Sequence, residues 1–157
     1  FLLNFPFGKI FMGDGGAYML GFLLAWVAVM LPMRNAGISK WSSLLVCSYP
    51  IIETLFSMAR RYWNKSHPGQ PDSEHLHSLI KVKIVRRYFR GLQPALRNGL
   101  VSPFCWSFAL ATSSVAVMYH DAKPVLITGG MVALFLYAMV HGLLMRLDDA
   151  DGRGKSQ

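Results

Sequence analysis

The chain contains 157 residues, of which 53% are hydrophobic and 15% are charged, and its formal net charge is +8. Its length suits one soluble domain, but long stretches carry no charge, which excludes an ordinary soluble protein. The excess cations are not presented by a separate domain, which argues against a nucleic-acid partner.

Four stretches are long and apolar enough to cross the hydrocarbon core of a bilayer as helices, since each helical residue adds about 1.5 Å. Three of them carry no formal charge when His141 is neutral, and the second carries only Glu53. We therefore predict an all-α fold: a polytopic membrane helix bundle of about four transmembrane helices with a cytoplasmic amphipathic helix. The predicted spans lie near residues 15–33, 41–59, 101–119 and 124–145, with a cytoplasmic loop at 60–100.

The first span follows Asp14 in the segment KIFMGDGGAYMLGF. A carboxylate at the mouth of a membrane helix costs free energy unless it has a partner or a function. A signal peptide is excluded, because Lys9 and Asp14 precede the apolar run and no small-residue cleavage site follows it. The sequence opens with FLLNFPF and has no initiator Met, so we expect the C-terminal part of a longer protein.

The distribution of Lys and Arg predicts the orientation in the membrane. Nine of the 16 cations lie between Arg60 and Arg97, and the segment around Lys9 and the C-terminal tail raise the count on that side to 13. The opposite side holds three, Arg34, Lys40 and Lys123. By the positive-inside rule, the segment containing Asp14, the 60–100 loop and the tail are cytoplasmic.

The 60–100 loop begins with turn-forming sequence, NKSHPGQPD, and then predicts a helix from Asp72 or Ser73 to about Arg90. On a regular helix the cations share one face and the apolar side chains mostly take the other. The cations are Lys83, Arg86, Arg87 and Arg90, and the apolar side chains are Leu76, Ile80, Ile84, Val85, Tyr88 and Phe89. Such a basic amphipathic helix suits the lipid headgroup layer, but the same cations would also serve as topology markers alone.

Two histidines stand close together in this loop, His75 and His77. In a regular helix residues two apart point about 200° apart, so joint action on one ligand requires a non-helical stretch here. The alternative is an ordinary solvated pair. Zinc is disfavoured, because no Cys is near and a third ligand would have to come from His67 or an acid.

Three segments in order, NFPFGKIFMGDGGAYMLGF, YPIIETLFSMARRYW and PDSEHLHSLI, resemble the polyprenyl-phosphate N-acetylhexosamine-1-phosphate transferase family. This family includes the peptidoglycan lipid I translocase and the enzymes that initiate O-antigen and common-antigen assembly. The resemblance covers about residues 1–100, and the last two spans match only as membrane helices. It implies transfer of a sugar 1-phosphate from a UDP-sugar to polyprenyl (undecaprenyl) phosphate with release of UMP, to begin cell-wall or lipopolysaccharide synthesis. The expected location is the bacterial inner membrane, with the active site facing the cytoplasm.

The resemblance also implies roles for individual residues. Asp14 stands at the position of an Asp that binds the metal and takes part in catalysis, with Mg²⁺ as the expected cofactor and Mn²⁺ as an alternative. His75 and His77 stand at catalytic positions beside the donor diphosphate. Phe11 would stack on the uracil and Asn4 would hydrogen-bond the nucleotide. The remaining substrate-binding positions are Lys9, Gly13, Arg60, Arg61 and Asp72.

Some family features are missing from this chain. Ser78 stands where relatives commonly have a further His, and neither the paired-Asp motif nor the Asp-Gly segment of the family occurs. We therefore expect part of an active site, inactive without an N-terminal partner. The motif HLHS favours a UDP-HexNAc donor over a muramyl-pentapeptide donor.

Other interpretations stay open at this stage. Glu53 is expected to be a structural partner, of Arg60. A transporter or channel in which Asp14 and Glu53 line an ion path is the main alternative to a transferase. A non-catalytic scaffold that uses the basic loop to bind lipids or a partner is a third. A homodimer is also left open.

Overall fold

The computed structural model describes residues 5, 12–63, 65 and 75–153. Within these ranges the chain is helical and contains no strand, which confirms the predicted all-α class. The helices are α1 (Gly13–Arg34), α2 (Lys40–Val46), α3 (Ser48–Trp63), α4 (Leu76–Leu79), a π-helix (Ile80–Val85), α5 (Arg86–Tyr88), α6 (Pro94–Gly99), α7 (Ser102–Met118) and α8 (Lys123–Arg153).

Several of these helices are long and apolar enough to cross a membrane. Three segments of the described chain pass this test singly, Gly13–Arg34, Leu96–Met118 and Lys123–Leu147. The helices α2 and α3 pass it only as a pair, with a bend of 71° between them. The three to four spans confirm the predicted membrane helix bundle, with the second span broken rather than straight.

Pro50 explains the break between α2 and α3. A proline has no N–H to donate to the carbonyl four residues earlier, and its ring clashes with that carbonyl. The carbonyl concerned is that of Val46, the last residue of α2. The helical hydrogen bonds on either side persist, from Cys47 N to Ser43 O at 3.1 Å and from Ile51 N to Cys47 O at 3.2 Å.

The two short connections meet at one end of the bundle. The backbone N–H of Ser39, before α2, donates to the carbonyl of His120, between α7 and α8, at 2.8 Å. Ser39 also caps α2, because its side chain accepts from Trp41 N at 3.4 Å. Since these loops share one end, the chain alternates direction as the charge pattern predicts.

The main apolar core lies where α3, α4, the π-helix, α7 and α8 meet. Its buried members are Ile52, Leu76, Leu79, Ile80, Val85, Val101, Ala133, Tyr137 and Leu144. A smaller core joins α2, α7 and α8 through Leu45, Ala116 and Leu126. By contrast, α1 contains no buried residue. The 60–100 loop therefore contributes to the central core rather than lying outside the bundle.

The helical part of this loop differs from the predicted regular amphipathic helix. Its middle is a π-helix, whose wider turn shifts the phase of every following side chain. Beyond it, Tyr88 and Phe89, which were predicted on the apolar face, are therefore 74% and 41% exposed, whereas Leu79, which precedes the π-helix, is buried in the core. The predicted start at Asp72 or Ser73 lies outside the described residues, and the first helical residue described is Leu76.

Candidate functional site

The carboxylate of Glu53 joins α3 to the start of α4. Its Oε1 accepts a hydrogen bond from the His75 ring at Nδ1, at 3.0 Å, and another from the backbone N–H of Leu76, also at 3.0 Å. The first turn of a helix leaves its N–H groups without helical partners, so the second bond caps α4 from a different helix. Glu53 was predicted to be a structural partner of Arg60; among the described residues, its hydrogen bonds go to His75 and Leu76 instead.

The Glu53 contact determines which nitrogen of His75 carries hydrogen. A carboxylate can only accept, so Nδ1 is the donor and Nε2 lies on the opposite side of the ring. Ser57 Oγ lies 3.2 Å from the same Nδ1. Glu53 and Ser57 are one turn apart on α3 and therefore share a face, from which both hold the ring.

The two histidines of the loop converge. Their rings are stacked, with centroids 5.6 Å apart and planes inclined by 12°. This arrangement is possible because His75 precedes the helix with an extended ψ of 145°, and only from Leu76 onward is the backbone helical. The requirement for a non-helical residue in the HLH segment is thus met by His75 alone.

Burial lowers the pKa of His77 below the ordinary value for histidine. The nearby Glu53 carboxylate opposes this shift, while His75 and Lys81 add to it. Because the burial effect is the largest, the neutral imidazole is favoured near pH 7, with one nitrogen donating and the other accepting. His75 and His77 therefore present two adjacent rings that can form hydrogen bonds to a bound anion.

Arg60 and Arg61 lie on the last turn of α3, both partly buried. Helix periodicity places them one turn beyond Ser57 on the side that carries Glu53. The residues predicted to flank the His motif therefore share one helix with the group that holds His75. This α3 side, together with the two rings, forms the candidate site that we call the histidine site: Glu53, Ser57, Arg60, Arg61, His75 and His77.

Asp14 belongs to a different helix from the residues of the histidine site. It is exposed in the first turn of α1, where a carboxylate is favoured by the helix dipole. Gly13 precedes it with a φ of +71°, a left-handed conformation that favours glycine. The hydrogen bonds of the described residues include none that joins Asp14 to either histidine. The other N-terminal position with a described contact is Phe5, whose ring centroid lies 4.9 Å from that of Trp106 on α7.

Four of the predicted site residues, Asn4, Lys9, Phe11 and Asp72, lie outside the described residues, as does His67.

A magnesium ion in this region would draw its protein ligands mainly from carboxylates. The described ranges contain no group of three or more His, Cys, Asp or Glu side chains able to hold a metal ion. Mg²⁺ commonly takes one or two carboxylates and fills its other positions with water and substrate phosphate. Asp14 is exposed and suits the place of such a single carboxylate, whereas Glu53 Oε1 already accepts two hydrogen bonds.

Sequence analysis missed Ser57 and the contact of Glu53 with His75. The spacing of Glu53, Ser57 and Arg60–Arg61 by successive helical turns marks one polar side of an otherwise apolar span. This spacing could have predicted that the four side chains belong to one site.

The chain is similar in sequence to one known protein family and to several curated transferases. The model of glycosyl transferase family 4 matches residues 1–32. An undecaprenyl-phosphate alpha-N-acetylglucosaminyl 1-phosphate transferase of Haemophilus influenzae is 27% identical over 140 residues, covering 86% of this chain and 37% of the relative. Proteins of the same name are 28% identical over 132 residues in Escherichia coli K12 and 32% identical over 133 residues in Escherichia coli O157:H7. No solved structure has significant similarity to the chain.

These matches confirm the resemblance that the motifs predict. The family match contains the segment with Gly13 and Asp14, and the longer alignments with curated relatives cover more than four fifths of the chain. The chain spans only about a third of the length of those relatives, at 37% and 34%.

Proposed function

We propose that this chain is the part of a membrane transferase that engages the diphosphate of a nucleotide-sugar donor. The whole enzyme would transfer N-acetylglucosamine 1-phosphate from UDP-N-acetylglucosamine to undecaprenyl phosphate. The names of the similar curated proteins support the reaction, and their lengths support an N-terminal portion that completes the site. Those proteins give no support to the transporter alternative.

The observation that carries the proposal is the paired arrangement of His75 and His77 beside the α3 side with Arg60 and Arg61. An oxygen of the lipid phosphate attacks the sugar-bearing phosphorus of the donor and forms a new P–O bond. The bond from this phosphorus to the bridging oxygen breaks, and its electron pair leaves with UMP. Hydrogen-bond donors and positive charge near the bridging oxygen stabilise the charge that develops there.

His75 is suited to this task because its Nδ1 is held by Glu53. The Nε2 side of the ring then faces away from α3 and is the side that a diphosphate would meet. The stacked His77 ring keeps the plane of His75 fixed and adds a second polar edge. The arginines supply positive charge and several hydrogen-bond donors that suit phosphate oxygens.

Asp14 would supply a carboxylate ligand to Mg²⁺, and the ion would neutralise charge on the donor phosphates. The chain itself supplies this oxygen at the membrane surface, next to the start of α1. The excess of Lys and Arg in the segments around Asp14 and the histidine site supports a cytoplasmic position for both. Nucleotide sugars and the inner membrane meet on that side.

The test is UMP release by the full-length protein in lipid nanodiscs, supplied with UDP-N-acetylglucosamine, undecaprenyl phosphate and Mg²⁺. We expect turnover that needs both substrates and falls by at least about 100-fold in Asp14→Asn. A matched control is Asp121→Asn, since Asp121 lies in the short connection between α7 and α8 at the other end of the bundle. Absence of UMP release by the wild type, or full turnover in Asp14→Asn, would contradict the proposal.

A further inference from the structure

The two oxygens of the Glu53 carboxylate have different surroundings. Oε1 accepts from both His75 Nδ1 and Leu76 N. Oε2 is buried and has no hydrogen-bond partner among the described residues. The side chain as a whole is only 13% exposed. A buried carboxylate that is only half satisfied costs free energy, so stability alone does not account for it.

Capping α4 does not require this carboxylate either. A Ser, Thr, Asp or Asn at the position before the first helical residue would satisfy the same N–H locally. That position is occupied by His75, whose side chain makes no capping bond. The cap is provided instead by Glu53, 23 residues before Leu76 in the sequence. What the Glu53 carboxylate adds beyond a cap is its contact with the histidine ring.

We propose that Glu53 is a positioning residue that holds His75 with hydrogen on Nδ1 and directs Nε2 towards the donor diphosphate. This inference rests on the proposed function. The carboxylate orients the ring through a charge-assisted hydrogen bond, which is stronger than one to a neutral acceptor, as carboxylates do for histidines in metal sites and hydrolase triads. Ser57 supports the same nitrogen at 3.2 Å, and His77 limits rotation of the ring by stacking.

Glu53→Gln separates this role from capping. The amide oxygen of Gln can still accept from Leu76 N, so the helix cap persists, while the bond to His75 Nδ1 loses its charge and holds the ring less firmly. In the full-length protein we expect kcat for UMP release to fall by roughly tenfold or more, with KM for UDP-N-acetylglucosamine changed by less than about threefold. A purely structural role predicts an unchanged kcat.

Glu53→Leu removes both hydrogen bonds and tests the ring directly. Nitrogen-15 NMR of the full-length protein in nanodiscs reports which His75 nitrogen carries hydrogen, and His75→Asn identifies the signal by its loss. We expect Nδ1–H in the wild type and a shift towards Nε2–H in Glu53→Leu. If Glu53→Leu does not fold, the kcat of Glu53→Gln still decides whether Glu53 positions His75.

The matched control is Thr54→Ala. Thr54 follows Glu53 on α3 but is exposed, and its hydroxyl donates to its own helix at Pro50 O, at 2.8 Å. We expect turnover within about twofold of wild type.

Wild-type kcat in Glu53→Gln, or an Nε2–H ring in the wild-type protein, overturns the inference. A wild type that releases no UMP overturns the proposed function instead, and the NMR result then tests the Glu53–His75 contact separately.

Discussion

Glu53 on α3 and His75 at the start of α4 are linked by a contact of 3.0 Å between Oε1 and Nδ1. The same carboxylate oxygen caps α4 through Leu76 N. One side chain therefore sets both where the helix begins and how the histidine is oriented. Because His75 stays outside the helix, its ring can stack on His77, which follows two residues later.

Replacing Ser57 by Ala should weaken, but not abolish, the support of His75. The variant loses the 3.2 Å contact to Nδ1 and keeps the Glu53 contact. One hydrogen bond contributes about 0.5–1.5 kcal/mol, so we expect UMP release to fall roughly 2- to 10-fold. The measurement is steady-state turnover of the full-length protein. A loss as large as that of His75→Asn would mean that Ser57 has a different role.

The stability of the protein should depend on pH through His77. Burial lowers the pKa of this group in the folded state, so the unfolded chain binds more protons as the pH falls through the ordinary histidine range. The His77 contribution to the free energy of unfolding should therefore decrease below about pH 6.5. His77→Gln should flatten this part of the pH profile, as measured by thermal unfolding in detergent. An equal slope in the variant would show that other groups cause it.

Leu126→Ala should destabilise the bundle at a distance from the histidine site. Leu126 is 1% exposed and packs with Leu45 and Ala116 in the smaller core. Loss of a buried leucine side chain commonly costs about 2–5 kcal/mol. We expect a lower midpoint of thermal unfolding, with UMP release at low temperature preserved. Leu126→Met is the matched control, because it nearly conserves volume. Wild-type stability in Leu126→Ala would contradict the packing described for α2, α7 and α8.

The 157-residue chain alone should release no UMP, and adding the N-terminal portion of the enzyme should restore turnover. The prediction rests on the proposed function, in which residues of a longer enzyme complete the site around Asp14 and the histidines, as the greater length of the similar curated proteins suggests. The measurement is UMP release in nanodiscs that contain the chain alone or both portions. Turnover by the chain alone would show that its residues are a complete site.

The membrane architecture could be predicted from the sequence because it depends on local composition. Long uncharged segments favour insertion into lipid, and clustered Lys and Arg residues indicate the orientation of the helices. Pro50 could have indicated the break between α2 and α3. The break was not predicted because residues 41–59 are long and apolar enough to be read as one continuous span. The π-helix was not predictable from a regular helical wheel, since the wheel assumes the same 3.6 residues per turn at every position.

The candidate site was only partly predictable for a similar reason. The family resemblance pointed to His75 and His77 as site residues. Helix geometry predicted that the two side chains can act on one ligand only if the HLH segment is partly non-helical. His75 meets this requirement by lying outside the helix, where its ring contacts Glu53, a residue from a distant part of the chain that tertiary packing brings to the start of α4. Sequence distance gives no indication of that contact, and the nearer Arg60 seemed the natural partner.

The most direct test of the central claim is UMP release by full-length wild type and His75→Asn under identical conditions in nanodiscs. We predict that the wild type converts UDP-N-acetylglucosamine and undecaprenyl phosphate to UMP and the lipid-linked sugar, and that His75→Asn is slower by at least about 100-fold. Equal turnover by the two proteins would contradict the account.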